Sequence, residues 1–273
     1  MHLIYTDPDG DHDPLPQCSL RAEVNLSPHI WSLSDPGEVI VRASVASTLL
    51  DLVPEGCSQR SLLKVLNECE FIYEGPSDSR LILKLGESTA VKVVPNESRV
   101  GEYSVLEYLA SHWPSLPDPK PLGMLELNEY LMMFMSQIAG APLQKIWGAL
   151  EAGQKVAVSA QLDVIFSQLR THKIPPGRPW GSVRVHGCID CRQHLRESTA
   201  IVHHPQDFGN FILSDRKHGS DIYIDFLQRL HEKTEEDLDP SDCCVFTHDH
   251  LRLANIMVGE RQDQEIEVAG IVD

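Results

Sequence analysis

The chain has 273 residues, 42% hydrophobic and 23% charged, with 40 acidic against 23 basic side chains and a formal net charge of −17 at pH 7. That charge repels polyanions and excludes a broad nucleic-acid or anionic-membrane surface, while the length and hydrophobic fraction allow a substantial core in one two-lobed domain or two small ones. The opening MHLIYTDPDGDHDPLP lacks the basic and apolar regions of a signal peptide, no window approaches the ~20 apolar residues of a membrane span, and seven cysteines without a regular framework suit a reduced cytoplasmic protein.

Residues 1–35, rich in Asp, Pro, Ser and His, read as a loose extension. Helical patterns follow over 43–53 and at SLLKVLNECE, residues 61–70. FIYEG, RLILKLG and TAVKVV are short β-type runs separated by Gly, Pro, Ser and Asp, as in a small antiparallel sheet. The spacing of Val105, Leu106, Leu109 and Ala110 predicts a helix from Ser98 to His112, capped by Asn96 or Ser98. GMLELNEYLMMFM reads as two strands around an Asn128-Glu129 turn, and IAGAPL breaks the pattern ahead of another helix. Val156, Ala160, Ile165 and Leu169 recur at helical spacing between Glu151 and His172. A proline-rich loop, IPPGRPWGSV, precedes the helical DIYIDFLQRLHEK, and the tail alternates the short strands VFTH, NIMV and IEVAGIVD with turns.

A β-rich half ahead of an α-rich half implies α+β architecture, with the boundary near Ser136 to Gly140. The chain divides into 1–60, a loose start and a helix; 61–136, a sheet and helix; and 137–273, mainly helical.

Among chemically capable residues, His248, Asp249, His250 and Asn255 stand between two apolar strand-like runs, and Asp273 ends the last run. Polar side chains at the ends of buried strands are held rigidly beside solvent, and Asn and Asp offer the hard oxygens that Mg²⁺ prefers. His248 reads more simply as a residue bonding the loop backbone, and Asn255 as a turn cap. Asp7, Asp9, Asp11 and Asp13 do not make a calcium loop, because His12 and Cys18 stand where Gly and Glu are required. Cys188 and Cys191 form a single CxxC, with Cys243 and Cys244 far away, a weak pattern for structural zinc.

These motifs resemble the aminoglycoside phosphotransferase family, in the fungal branch of protein-kinase-like small-molecule kinases. HDHLRLAN, residues 248–255, resembles the family's H-G-D-L-x-x-x-N loop, and AGIVD resembles the strand ending in its metal-binding aspartate. TAVKVV resembles the strand of the phosphate-binding lysine, here Lys92, and GEYSVLEYLASH the helix of its glutamate partner, Glu102, with Glu107 as the competing candidate. YLMMFMSQIAGAPLQKIW resembles the hinge and following helix, so an adenine would lie against Met135 to Gln137.

The resemblance spans residues 60–273. It implies a bilobal protein-kinase-like fold with a small antiparallel sheet in the N-lobe and a mainly helical, incomplete C-lobe. It also implies ATP and Mg²⁺ as cofactors, Asn255 and Asp273 as metal ligands, and a small molecule with a hydroxyl group as acceptor. The oligomeric state is not readable. His250 stands where the family carries its catalytic aspartate, with Asp249 one residue out of register. Two expectations follow: an enzyme of reduced activity with His250 as a weak base, or an inactive pseudokinase-like binding protein. The pattern stops at Asp273, where the family continues into further helices, as in a chain truncated at its C-terminus.

Overall fold

The structure is a computed structural model that describes residues 37–74, 80–95, 100–173, 179–181, 183, 188–190, 196–198, 200–213, 221–236, 245–248, 250–261 and 265–272. Alternation of apolar side chains builds its largest element. In β3 (Leu81–Leu85) the three leucines are buried and the residues between them only half covered. β4 (Thr89–Pro95) is buried on both faces, as befits a central strand. With β1 (Val39–Ala43), β2 (Glu70–Glu74), β5 (Pro121–Leu127) and β6 (Tyr130–Ser136), these form a six-stranded antiparallel sheet ordered β1-β5-β6-β4-β3-β2. Both outer strands carry a register irregularity, between Val41 and Ala43 on β1 and between Phe71 and Tyr73 on β2. The β5–β6 hairpin turns as expected at Asn128, whose φ of 54° is one that asparagine tolerates better than most residues.

The two faces of the sheet support separate cores. Val91, Val93, Met132 and Phe134 pack on Leu62 and Leu66 of α1 (Gln59–Asn67), whose first turn is capped by the Ser58 hydroxyl, 3.2 Å from the Ser61 amide. Ala90, Val94, Leu131, Met133 and Met135 face the other way, onto Tyr103 of α2 (Val100–His112). Lys92 shares this second face, because it lies directly opposite Met133 in the ladder.

The second half is mainly helical, with β7 (Ala141–Pro142), α3 (Leu143–Ile146), α4 (Ala152–Arg170), the two-residue strands β8 (Ile189–Asp190) and β9 (Arg196–Glu197), α5 (Pro205–Leu213) and α6 (Asp221–Glu236). The chain ends in β10 (Ile256–Glu260) and β11 (Ile266–Ile271), which join β7 in a three-stranded sheet ordered β11-β10-β7. Leu143, Val158, Ile165, Leu169, Ile256, Val258 and Val268 make its core with Leu109 and Leu116 from the first half. The α+β architecture is therefore as expected, with the large sheet in the first half and most of the helices, followed by a small hairpin, in the second.

Two local expectations are corrected. The helix over 43–53 is only a single 3₁₀ turn at Ser47–Leu49, and the residues just before it form β1. Tertiary pairing decides this: β1 adds to the edge of β5, and Ala46 donates to the Leu122 carbonyl at 2.7 Å, which holds the backbone extended. VFTH forms no strand; its first residue makes an isolated bridge with Lys173. α5 was not anticipated, although Pro205 at its first position and Asp207 in its first turn are start signals. The proposed caps Asn96 and Ser98 and most of the proline-rich loop lie outside the described residues. Among the described residues, no helix is long and apolar enough to cross a membrane.

Candidate functional site

Lys92 is the most constrained charge in the sheet. It sits in β4 between Val91 and Val93 with only 3% of its surface exposed, and its ladder partners are Ile82 and Met133. A buried ammonium is costly unless an opposite charge satisfies it. Glu102, in the first turn of α2, supplies that charge, with Oε1 2.5 Å from Nζ and 24% of its side chain still exposed. An internal strand with one lysine, facing a helix with a glutamate in its first turn, fixes the ammonium at the sheet face. Glu107 lies further along the same helix. Burial, and then the Glu107 charge, push the Tyr103 hydroxyl above its usual range.

The residues after β6 lead from this sheet to the second core. Ser136 donates its amide to the Lys120 carbonyl and accepts the Lys120 amide on its hydroxyl, both at 2.8 Å, and Gln137 donates to the Ser88 carbonyl at 2.8 Å. Met135, 9% exposed, faces the Lys92 side of the sheet. Lys120 also pairs with Asp118, a carboxyl that burial pushes above its usual range and that the Lys120 bond partly lowers. Ile138 lies against Gly270 of β11, and a Cβ on Gly140 (φ 111°) would overlap the Val258 carbonyl, so the connection presses directly onto the β10–β11 hairpin.

That hairpin holds the loop that sequence reasoning singled out. Asn255 ends a 3₁₀ turn, Leu253–Asn255, and its Nδ2 donates to the His250 carbonyl at 2.8 Å and lies 3.5 Å from His250 Nδ1. Its own carbonyl accepts the Val272 amide at 2.9 Å, and Ile271 donates to the Pro117 carbonyl at 2.9 Å. The loop from His250 to Asn255 and the segment ahead of Asp273 are therefore neighbours. Asp249 and Asp273 themselves lie outside the described residues. For Mg²⁺, the fit rests on the chemistry of Asn255: Nδ2 is the atom turned to His250, and the side-chain oxygen is a hard donor of the kind Mg²⁺ takes.

The chain is similar to aminoglycoside phosphotransferases. A solved structure of aminoglycoside phosphotransferase APH(3'')-Id from Streptomyces rimosus superposes with a TM-score of 0.47 at 15% identity, covering 83% of this chain and 75% of that one. The streptomycin-ATP-APH(2'')-IIa ternary complex gives a TM-score of 0.48 at 15% identity over 92% of this chain and 71% of that one. The bifunctional kinase-methyltransferase WbdD gives 0.27 at 16% identity over 62% and 46%. No protein-family model matches the chain, and no curated protein does.

The sequence pairs Lys92 with Glu102 and sets His250 and Asn255 in one loop cluster, and the structure brings Lys92 to Glu102 and Asn255 to the His250 backbone. Sequence reasoning missed Gln161 of α4, whose side-chain amide donates to the Ile266 carbonyl at 2.9 Å and accepts the Val268 amide at 2.8 Å. No local signal identifies such a contact between residues more than a hundred positions apart. It also missed the close approach at Gly140, although a glycine interrupting a strand-like pattern is a cue for one.

Proposed function

We propose that this chain is an ATP- and Mg²⁺-dependent phosphotransferase that moves the γ-phosphoryl group of ATP to a hydroxyl of a small molecule in the cytoplasm, at a rate reduced by His250. The observation that carries the reading is the buried Lys92–Glu102 pair at 2.5 Å. In such an enzyme the lysine is aimed at the α and β phosphates, and its glutamate keeps it charged and in place. In this reading, residues 61–136 hold the nucleotide, with the base against Met135 to Gln137, and residues 137–273 carry the loop. Asn255 and Asp273 would hold Mg²⁺, which when bound neutralises charge on the phosphates. An acidic chain of net charge −17 suits a cationic acceptor.

His250 takes the place of a carboxylate base. An imidazole can accept a proton but lacks the negative charge that orients a hydroxyl beside metal and phosphates. Transfer depends mainly on positioning and electrostatics, so the substitution slows it by about 10²- to 10⁴-fold rather than abolishing it.

Thermal melting of the chain with ATP, with and without Mg²⁺, tests the nucleotide site. At 100 times its dissociation constant, ATP adds about 2.7 kcal/mol to stability. The expected result is a Mg²⁺-dependent rise in melting temperature that disappears in Lys92→Met and in Asp273→Asn. A cooperative melt that ATP does not move would overturn the reading.

His250 also favours a second reading, a catalytically inactive pseudokinase-like protein that acts by binding partners. His250→Asp separates the two. Weak turnover in the native chain that rises by about 10²- to 10⁴-fold in the variant fits the enzyme, and turnover seen only in the variant fits the binding protein. Equal turnover in both would show that this position does not matter.

A further inference from the structure

The far end of α2 from Glu102 is tied to the segment that leads into the His248–His250 loop. The Tyr108 hydroxyl is hydrogen-bonded to His172 Nε2, just beyond α4. The Tyr108 ring lies parallel to Phe246 at 6.5 Å between centroids, and Trp113 meets His172 edge-on at 4.9 Å, both within the range of favourable aromatic pairs. The His172 carbonyl accepts the Phe246 amide at 3.1 Å, and Lys173 bridges Val245. Phe246 stands two residues ahead of His248. One short helix therefore carries the lysine's partner in its first turn and, about 9 Å further along at 1.5 Å per residue, the ring that seats the loop's entry segment.

We infer that Tyr108 and His172 are positioning residues that couple the Lys92–Glu102 pair to the loop bearing His250, through the contiguous chain Glu102, α2, Tyr108, His172 and Phe246. A rigid helix packed at both ends transmits a displacement of its first turn to its last. Loss of the ion pair thus loosens the loop entry, and the Tyr108–His172 contact is the link through which it does so. The coupling goes beyond the phosphotransferase reading, although its use in catalysis rests on that reading.

Hydrogen exchange at the Phe246 and Thr247 amides tests the inference in a double-mutant cycle of the full chain. Glu102→Gln weakens the ion pair at one end, and Tyr108→Phe removes the hydroxyl while keeping the ring. In the native background Glu102→Gln is expected to speed exchange at these amides by roughly fivefold, the scale of one hydrogen bond. In the Tyr108→Phe background the same substitution is expected to change it by less than about twofold, because coupled sites are not additive. Equal factors in both backgrounds, or no effect of Glu102→Gln on these amides, would overturn the coupling. If Tyr108→Phe does not fold, His172→Asn takes its place in the cycle with the same expectations. The cycle needs no nucleotide. Non-additivity in a chain whose melt ATP does not move therefore supports the coupling while the phosphotransferase reading fails.

Discussion

Lys92 and Asn255 are both buried or half-buried polar groups at the ends of the same proposed site, but the molecule holds them differently. Lys92 lies in the fourth of six strands, laddered on both sides, with a separate apolar cluster on each face. Asn255 is held by a three-residue turn, a two-stranded hairpin and a few side-chain and backbone bonds to His250, Arg252 and Val272. Disrupting the sheet should therefore cost the fold, whereas disrupting the hairpin should cost local order first.

Three substitutions or titrations would break or sharpen that contrast. The largest effect is expected at Phe134, which is wholly buried at the centre of β6. Phe134→Ala should lower unfolding stability by about 3–5 kcal/mol, read as a shift of the urea midpoint; a loss under about 1 kcal/mol would show the sheet core to be loosely packed. Gln161→Ala removes two bonds to the outer edge of β11 and should cost about 1–3 kcal/mol. Its signature is faster exchange at Val268 with β4 and β6 unchanged, and acceleration spread evenly over both sheets would erase the distinction between the halves. The smallest effect concerns Cys69, whose thiol is pushed up to about 11 by burial and then by the Glu68 charge. A thiol raised on folding contributes stability that is complete below its unfolded value of roughly 8.5 and is lost as pH rises toward the folded value. Native and Cys69→Ala chains should therefore differ by a constant amount up to about pH 8.5 and converge above it.

Much of the first half was legible because its signals are local. Asn128 marks a tight turn, Leu81, Leu83 and Leu85 alternate, and Lys92 is the lone charge in an apolar run. The pairing of Lys92 with Glu102 followed from an ordered set of motifs rather than from either residue. β1 was not legible, because Val39 to Ala43 becomes a strand only by joining β5, more than eighty residues later. Gln161 and the Tyr108–His172 contact escaped for the same reason: each is a side chain meeting a distant segment, and periodicity within a helix says nothing about which remote backbone it will meet. At the loop, the residue types were readable at His250 and Asn255, but the bond from Asn255 to the His250 backbone was not.

The irregular register on both outer strands of the large sheet bears on the protein's behaviour in crowded solution. β2 exposes Phe71, Ile72 and Tyr73, a run that on a flat edge would invite another chain to add a strand. With the hydrogen-bonding rhythm broken between Phe71 and Tyr73, and again between Val41 and Ala43 on the opposite edge, neither border offers an unbroken template among the described residues. A sheet with two ragged borders can keep aromatic side chains at its rim without seeding fibres.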